Sequence, residues 1–490
     1  MSIETVIASA PCRLVDGDVH APRRTAGAVA FVVRAADQRN LTGRRYLREA
    51  EASPTADSVI GPGSNDMATP MDERLIEKIR SDMAYEFART APPEGFPAFH
   101  DISTERHTST LFHDLEQEHL WTKTWVIAGR VEDVPNPGDY MTFDDLGVPL
   151  LIVRGTDDTI RCFYNTCQHR GAPVVREERG SSRRLRCQYH SWTYEVDGGT
   201  LVSVPDERDF VDLDWEQRCL PRASCDAYGG FIFVNRDLDA TPLDDWIGPL
   251  KEMLDPFQTS ELREVYRESR IVPCNWKVTA EAFLEVYHFR HIHSHDGVSV
   301  LDNRGAAMGL YPHGHSRMIT PYSKQNVERA GLASWDDWKH LDQAGMRTID
   351  GVPGMVDCTS TAVSLFPNTI IPLGRIGFPI NIFWPVDKNT TRLDWIYYAL
   401  PPEGADRFPD VLSDTWAARR RVYNQIMAED EMNMAPMQRS MESPALRGIP
   451  INYQERRIWH LHEEIDRIIG SENIPERLRM NQLLAPYVER

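Results

Sequence analysis

Two short segments of this chain, Cys167-Gln168-His169-Arg170-Gly171 and Cys187-Gln188-Tyr189-His190-Ser191-Trp192, each place one cysteine and one histidine on a tight turn. Seventeen residues separate His169 from Cys187. Brought together, the two turns supply two thiolates and two imidazoles. That set can bind one tetrahedral zinc ion, or a [2Fe–2S] cluster with both cysteines on one iron and both histidines on the other.

The spacing within the turns favours the cluster over zinc. Zinc fingers usually pair like ligands, with two cysteines in one turn and two histidines in the other. Here each turn mixes one cysteine and one histidine, with one residue between them in the first turn and two in the second. A Rieske cluster calls for mixed turns because each loop must reach both irons. A structural zinc site remains the alternative.

The residues that flank these ligands extend the pattern over 167–172, 186–194 and 197–201. With them the chain resembles the Rieske non-heme iron oxygenases, the large (alpha) subunits of the aromatic ring-hydroxylating dioxygenase family, over roughly 100–480. The resemblance implies an α+β fold, in which a small β Rieske [2Fe–2S] domain precedes a catalytic domain with an antiparallel sheet flanked by helices. The four-ligand motif alone would also fit Rieske ferredoxins and cytochrome bc-type proteins, so a second metal site is needed to separate these classes.

A candidate for that second site follows the tripeptide Asn275-Trp276-Lys277, in the pattern Glu285-x₂-His288-x₄-His293. Two histidines and one carboxylate can hold Fe(II) and leave positions open for O₂. We predict His288 and His293 as ligands. Because a five-residue step does not lie on one face of a straight helix, the helix must distort or end between them. His291 and His295 are close in sequence, so a surface metal trap is the competing interpretation.

The resemblance supplies the third iron ligand and a role for Glu285. The best match for the carboxylate is Asp430, with Gln438 eight residues later on a long amphipathic helix, and we expect Glu429 and Glu431 to be solvated neighbours. In the family, the acid at the position of Glu285 links the first iron histidine to a cluster histidine of the neighbouring subunit, here His288 to His190. Many members have Asp at this position. Glu also occurs, notably in relatives that act on quaternary amines. Ala282 stands where relatives often have Asn.

The sequence predicts four regions along the chain. These are a disordered N-terminal extension (1–66), N-terminal helices (67–125), the Rieske domain (126–240) and the catalytic mononuclear iron domain (241–490). Apolar periodicity predicts helices at 72–90, 109–125, 244–255, 278–290, 411–441 and 454–470. Strands are predicted at 262–274, 360–372, 376–385 and 392–400, and pocket walls at 283–320 and 360–385.

Composition narrows the class of protein further. Seventy-three acidic and 54 basic residues give a net charge of −19. This excludes nucleic acid and anionic membrane as main partners, since both bind clustered Lys and Arg. The apolar run 26–33 is too short to span a bilayer, and eight cysteines in 490 residues are too sparse for a secreted disulfide scaffold. We therefore expect a cytoplasmic protein.

These observations predict a terminal oxygenase component with one [2Fe–2S] cluster and one mononuclear Fe(II) per subunit. It would insert oxygen from O₂ into a small organic substrate, in the first place an aromatic one. The chain has no GxGxxG or GxxxxGK[ST] motif. NAD(P)H therefore acts only through a separate reductase, with or without a ferredoxin, that docks near His169 and His190. The resemblance implies a homotrimer, and it leaves a small β subunit undetermined.

Two alternatives stay open. The first is a Rieske monooxygenase that carries out oxidative demethylation or C–N cleavage, for example of a quaternary amine. The second, from another class, is an electron-transfer or zinc-binding protein without oxygenase activity.

Overall fold

Two antiparallel sheets of seven strands each organise the structure, a computed structural model that describes residues 69–295, 298–325 and 346–489. The predicted extension 1–66 lies outside the described residues. Strands, helices and antiparallel pairing confirm the predicted α+β class. Among the described residues, no helix combines the length and the apolar character that crossing a membrane requires.

The first sheet is sandwiched between two cores. Its interior strand Leu150–Arg154 is buried throughout. Leu150 and Ile152 face the main core of the protein, whereas Leu151 and Val153 face a smaller core that contains both cluster cysteines. This two-sided burial explains why the strand is a continuous apolar run. In sheet order the strands are Val126–Arg130, Phe231–Asn235, Arg222–Tyr228, Ile160–Tyr164, Leu150–Arg154, Asp139–Phe143 and Arg179–Ser181.

A three-stranded sheet covers the smaller core and carries the second ligand turn between its first two strands. Its strands are Arg184–Arg186, Thr193–Glu195 and Leu201–Ser203. The second large sheet forms the floor of the catalytic region. In sheet order its strands are Arg263–Val272, Thr390–Ala399, Phe378–Asp387, Thr369–Leu373, Thr359–Leu365, Ser316–Pro321 and Ala307–Leu310. Two short pairs, Ile102–Ser103 with Gly448–Ile449 and Ser294–His295 with Val298–Ser299, complete the strands of the described residues.

The helices follow the predicted order with several changes of extent. The α-helices of the described residues are Glu73–Ala88, Glu105–Thr108, Thr110–Leu115 with its π-helical continuation Glu116–Leu120, Leu243–Ile247, Lys251–Leu254, Trp276–Ala282, Phe289–Ile292, Asp414–Met441 and Arg456–Ile469. The predicted helix 109–125 ends at Leu120, and helix 244–255 is interrupted at Gly248-Pro249. The predicted strand 360–372 is two strands, Thr359–Leu365 and Thr369–Leu373, which pair antiparallel across a turn at 366–368.

The residues before the first sheet pack against the C-terminal part of the chain. Ile102 pairs with Ile449, and the buried Arg106 donates to Asp466 at 2.6 Å. The chain leaves this packed region after Trp125 and returns to it at Thr241. The two points are neighbours, since Trp125 Nε1 donates to the carbonyl of Thr241 at 2.9 Å. Residues 126–240 are therefore inserted into a region that is built from the residues before them and the residues after them.

Candidate metal centres and their surroundings

The two ligand turns share one hydrogen-bonding pattern. In each, the backbone N–H of the cysteine, Cys167 or Cys187, donates to the carbonyl five residues later at 2.9 Å. The N–H of the fourth residue after it, Gly171 or Ser191, donates back to the cysteine carbonyl, also at 2.9 Å. Both of these fourth residues adopt positive φ, +73° and +62°. The turns thus present their ligands in the same way from two sides.

Both cluster cysteines are buried in the smaller core, with exposed fractions of 3% for Cys167 and 1% for Cys187. The hydroxyl of Tyr194 lies 3.3 Å from Cys167 Sγ and accepts the backbone N–H of Gln168 at 3.0 Å. Burial raises the pKa of the Cys167 thiol. A bound cation is what would hold this sulfur as a thiolate.

The two histidines complete the set at the half-buried edge of the turns. The rings of His169 and His190 lie 4.6 Å apart, and His169 stacks on Trp192 at 4.9 Å. His169 Nδ1 is buried and has no hydrogen-bond partner in the part of the chain that the structure describes, which suits a nitrogen that ligates a metal. Among the described residues, no three ligand atoms of this set lie within 4.8 Å of one another. A single tetrahedral zinc would need such closeness, whereas a two-iron cluster spreads its ligands.

The second predicted set does close around a single point. His288, His293 and Asp430 offer ligand atoms that all lie within 4.8 Å of one another. Asp430 Oδ1 lies 3.6 Å from His288 Nε2 and 3.2 Å from His293 Nε2. The carboxylate is buried, at 6% exposed, and the imidazoles are half-buried. The donor set fits Fe(II) bound by two histidines and one carboxylate on one side.

The local backbone explains how a five-residue step brings both histidines inward. The helix Trp276–Ala282 ends well before His288, so the predicted continuous helix 278–290 is wrong. His288 and His293 instead bracket the single helical turn Phe289–Ile292 as its N-cap and C-cap residues. His291 lies on that turn, is exposed and stands outside the triad. The side chain of His295 lies outside the described atoms.

Each iron-ligand candidate has its outer ring nitrogen fixed by a carboxylate. Nδ1 of His288 bonds to Glu285, which also accepts the backbone N–H of His288 at 3.2 Å. Nδ1 of His293 lies 2.9 Å from Glu429 Oε2. Burial lowers the pKa of His293, but Asp430 and Glu429 outweigh it and raise the pKa. Such outer partners set the tautomer that leaves Nε2 free for a metal.

The expectation that Glu429 and Glu431 are merely solvated is therefore wrong for both. Glu429 bonds to His293, as described. Glu431 forms an ion pair with Arg270 at 2.9 Å. Their place in an acidic stretch of helix gave no signal that separates these roles from solvation.

The motif Asn275-Trp276-Lys277 connects the helices that position the site. Asn275 caps the helix Trp276–Ala282 by accepting the N–H of Lys277 at 3.1 Å, and its own N–H donates to Gln438 Oε1 at 3.0 Å. That bond locks the helix that carries Asp430 onto the helix that precedes the two histidines. Lys277 Nζ donates to Glu116 at 2.6 Å, and both side chains are fully buried.

A further buried set was not predicted. Nε2 of His107 and of His462 lie 2.6 and 2.8 Å from Glu281 Oε1. Arg106 Nε donates to Nδ1 of His462 at 2.9 Å. Burial and the Arg106 charge lower the pKa of His462 to about 3, so its imidazole is neutral and donates to the Glu281 carboxylate. The guanidinium opposes a metal ion here, and the set acts as a strut between the helices Trp276–Ala282 and Arg456–Ile469. The three residues are too far apart in sequence to form a pattern.

Comparison with known proteins agrees with this architecture. Residues 124–220 match the model of the Rieske [2Fe–2S] domain, and residues 259–471 match that of the ring hydroxylating alpha subunit (catalytic domain). The chain is 29% identical to the 2-aminobenzenesulfonate 2,3-dioxygenase alpha subunit of an Alcaligenes species, over 64% of this chain and 78% of the relative. It is 30% identical to the carnitine monooxygenase oxygenase subunit of Acinetobacter pittii, over 73% and 90%.

A solved quaternary ammonium Rieske monooxygenase shares the fold, with a TM-score of 0.61 and 22% identity over 78% of this chain and 100% of that one. Fold and sequence together define an oxidoreductase with a Rieske domain followed by a mononuclear iron catalytic domain. The chain belongs to the Rieske non-heme iron oxygenases, as the large (alpha) subunit. Members of this family carry a [2Fe–2S] cluster and a mononuclear iron, and they act on small organic substrates with a reductase or ferredoxin. Membership of this family favours an oxygenase over the alternative of a zinc-binding or electron-transfer protein without oxygenase activity.

Proposed function

We propose that Cys167, His169, Cys187 and His190 bind the [2Fe–2S] cluster of this terminal oxygenase and that His288, His293 and Asp430 bind its iron. The observation that carries the iron assignment is the convergence of Asp430 Oδ1 on the Nε2 atoms of both histidines. The bound iron would supply O₂ activation. The protein supplies the fixed tautomers, because Glu285 and Glu429 each hold a proton on the outer nitrogen of one imidazole.

A small apolar cluster lies beside this site. Val286, Ala306, Met308 and Met318 form a separate buried cluster, and Phe289 packs against it. The Phe289 ring also lies 4.7 Å from His288 and 5.5 Å from His293. These residues fall in the predicted wall 283–320. We propose that this cluster forms one wall of the substrate site, since sites for organic ligands are lined mainly by apolar side chains.

For the substrate we propose an aromatic compound, with a quaternary amine as the second candidate. The 2-aminobenzenesulfonate dioxygenase relative favours the first. Glu285 and the carnitine monooxygenase relative, 90% of which is matched, favour the second. Oxygen-uptake and product analysis, with aromatic acids, phenols, methyl ethers and quaternary amines and a surrogate reductase, distinguishes them. Hydroxylated rings support the first, and an aldehyde with a shortened amine supports the second.

The test of the metal assignments pairs two histidines three residues apart. His288→Ala should abolish product formation and keep the absorption and paramagnetic signal of the reduced cluster. His291→Ala is the control, since His291 is exposed and outside the triad, and it should retain both. Full turnover by His288→Ala would refute the iron site. Purified protein rich in zinc and free of sulfide would refute the cluster site.

Two further features are proposed from the family. A homotrimer would bring Glu285 of one subunit near His190 of the next, and a ring is the natural closure of such head-to-tail contacts. Sedimentation of the purified chain, with and without any copurifying small subunit, tests this. We also propose that the protein works in the cytoplasm, which cell fractionation tests.

A further inference from the structure

One deeply buried positive charge has no negative partner. Among the described residues, four lysine or arginine residues are 0% or 1% exposed. Three of them lie 2.6–3.0 Å from a carboxylate, and these pairs are Arg106 with Asp466, Lys277 with Glu116 and Arg317 with Glu489. The fourth, Arg457, forms no ion pair with any described residue. Within the described part of the chain, the fold thus neutralises every fully buried lysine and arginine except this one.

The protein uses only part of the Arg457 guanidinium. Its Nε donates to Ser316 Oγ at 2.9 Å. Both Nη atoms are buried and have no hydrogen-bond partner in the residues that the structure describes. The preceding residue, Arg456, has a charge of the same sign and already lies 3.4 Å from Glu86. His460, three residues later on the same helix, is neutral, because burial lowers its pKa to about 4.

An unpaired charge in this position suits the binding of an anion. Burial of a charged group costs free energy unless the group is paired. Burial and the Arg456 charge lower the pKa of Arg457 to about 9, so the group is still a cation at neutral pH. A planar guanidinium with two free Nη atoms matches the two oxygens of a carboxylate. The site is therefore complementary to an oxyanion.

The surroundings of Ser316 connect this cation to the proposed substrate site. Ser316 and Met318 lie two residues apart in the strand Ser316–Pro321, so their side chains lie on the same face of the sheet. Met318 belongs to the apolar cluster that we propose as a wall of the substrate site. Phe289 packs against the same cluster, and its ring lies 4.7 Å from that of His288. The apolar wall therefore neighbours an iron-ligand candidate at Phe289 and a free guanidinium at Ser316.

We propose that Arg457 binds the carboxylate of the substrate, and that the substrate is therefore an aromatic acid. This rests on the proposed function and selects one class from the aromatic compounds considered there. The ring of such an acid is suited to the apolar wall at Met318, and its carboxylate supplies the counter-charge that Arg457 lacks. A quaternary ammonium group beside Arg457 would instead place two positive charges together.

The experiment measures binding without turnover, in the full-length holoenzyme. Benzoate, phenylacetate and cinnamate are each compared with the corresponding amide, which has nearly the same shape but no charge, by isothermal titration calorimetry at constant ionic strength. The variants are Arg457→Met, which removes the charge, and Arg457→Lys, which keeps the charge but loses the planar fork. Arg407→Met is the control, since it removes the same charge from an exposed side chain. The denaturation midpoint shows that each variant is folded.

At least one acid should bind to the wild type about tenfold more tightly than its amide, because hydrogen bonds between charged groups are stronger than neutral ones. Arg457→Met should remove that preference, Arg457→Lys should reduce it, and Arg407→Met should retain it. Equal binding of every acid and its amide by the wild type would overturn the proposal, and this comparison needs no variant. A preference that survives in Arg457→Met would also overturn it.

Inorganic sulfate separates a substrate site from a general anion site. Sulfate that displaces the acids and binds as tightly as they do would assign Arg457 to an inorganic ion and overturn the substrate assignment. Sulfate that binds more weakly than the acids supports that assignment. Binding of the acids without oxygen uptake from any of them, with a surrogate reductase present, would count against the proposed oxygenase function and not against the anion site.

Discussion

Replacing Glu429 by glutamine tests whether the carboxylate behind His293 tunes the iron site. Glu429→Gln keeps the shape of the side chain but removes its charge, so His293 Nδ1 loses a charge-assisted hydrogen bond of 2.9 Å. Hydrogen bonds to charged groups contribute about 1.5–3 kcal/mol. The Glu429 side chain is 19% exposed, so solvent screens part of this, and we take the lower end. About 1.4 kcal/mol corresponds to a tenfold weaker affinity for Fe(II).

Glu431, two residues further along the same helix, provides a matched control. Its side chain is also 19% exposed and also has a partner, but that partner is Arg270 and not a ligand histidine. Protein with its cluster intact and its mononuclear iron removed is titrated anaerobically with Fe(II). Bound iron is measured after gel filtration, and product is measured in a single turnover. Glu429→Gln should shift the titration, and Glu431→Gln should not. Equal affinities in the wild type and Glu429→Gln, or an equal shift in both variants, would refute the reasoning.

Three further predictions concern buried charges. Lys277→Met strands the buried carboxylate of Glu116 and should lower the free energy of unfolding by about 3–5 kcal/mol. Arg457→Met should hold or raise the denaturation midpoint, because Arg457 is 1% exposed, two of its nitrogens have no hydrogen-bond partner among the described residues, and burial with the nearby Arg456 charge lowers its pKa to about 9. Burial raises the pKa of Glu455 from 4.5 to about 7, so the wild type should lose stability as pH rises between these values. Glu455→Gln should remove that loss.

All three predictions are measured by guanidinium unfolding at equilibrium, and each has an outcome that would contradict it. The double variant Lys277→Met/Glu116→Gln should recover much of the loss, and failure to recover would show that packing rather than charge is at stake. A strong destabilisation by Arg457→Met would mean that Arg457 has a counter-ion in solution. Glu455→Gln should exceed the wild type in stability at pH 8 and match it below pH 4.5, and a constant difference would contradict the assigned pKa.

The sequence could predict those parts of the site whose residues lie close together in the chain. Cys167, His169, Cys187 and His190 lie within one segment, and their mixed pairing alone favoured a two-iron cluster. Asp430 was chosen by family resemblance, because nothing local distinguishes it from its acidic neighbours. Its burial and its approach to both histidines become visible only when the long helix lies over the sheet.

The continuous helix 278–290 was wrong for a reason that periodicity does not detect. Apolar residues continue at helical spacing across the break, at Val278 and Val286 among others. However, Glu285 accepts the backbone N–H groups of Tyr287 and His288, which an unbroken helix would have bonded to carbonyls one turn earlier. A side chain thus competes with the helix, and the chain turns both ligands inward.

The inserted segment 126–240 begins and ends at one place, where Trp125 contacts Thr241. This has a consequence for the evolution of such proteins. Lys123 and Asn235 meet in the same place, since Asn235 Nδ2 donates to the Lys123 carbonyl at 3.1 Å. A redox module whose entry and exit are neighbours can be lost, gained or exchanged as one cassette without moving the flanking chain. Recombination can therefore replace the electron-transfer segment and keep the oxygen-activating part of the protein. The apolar face of the strands that the segment covered must then be covered again.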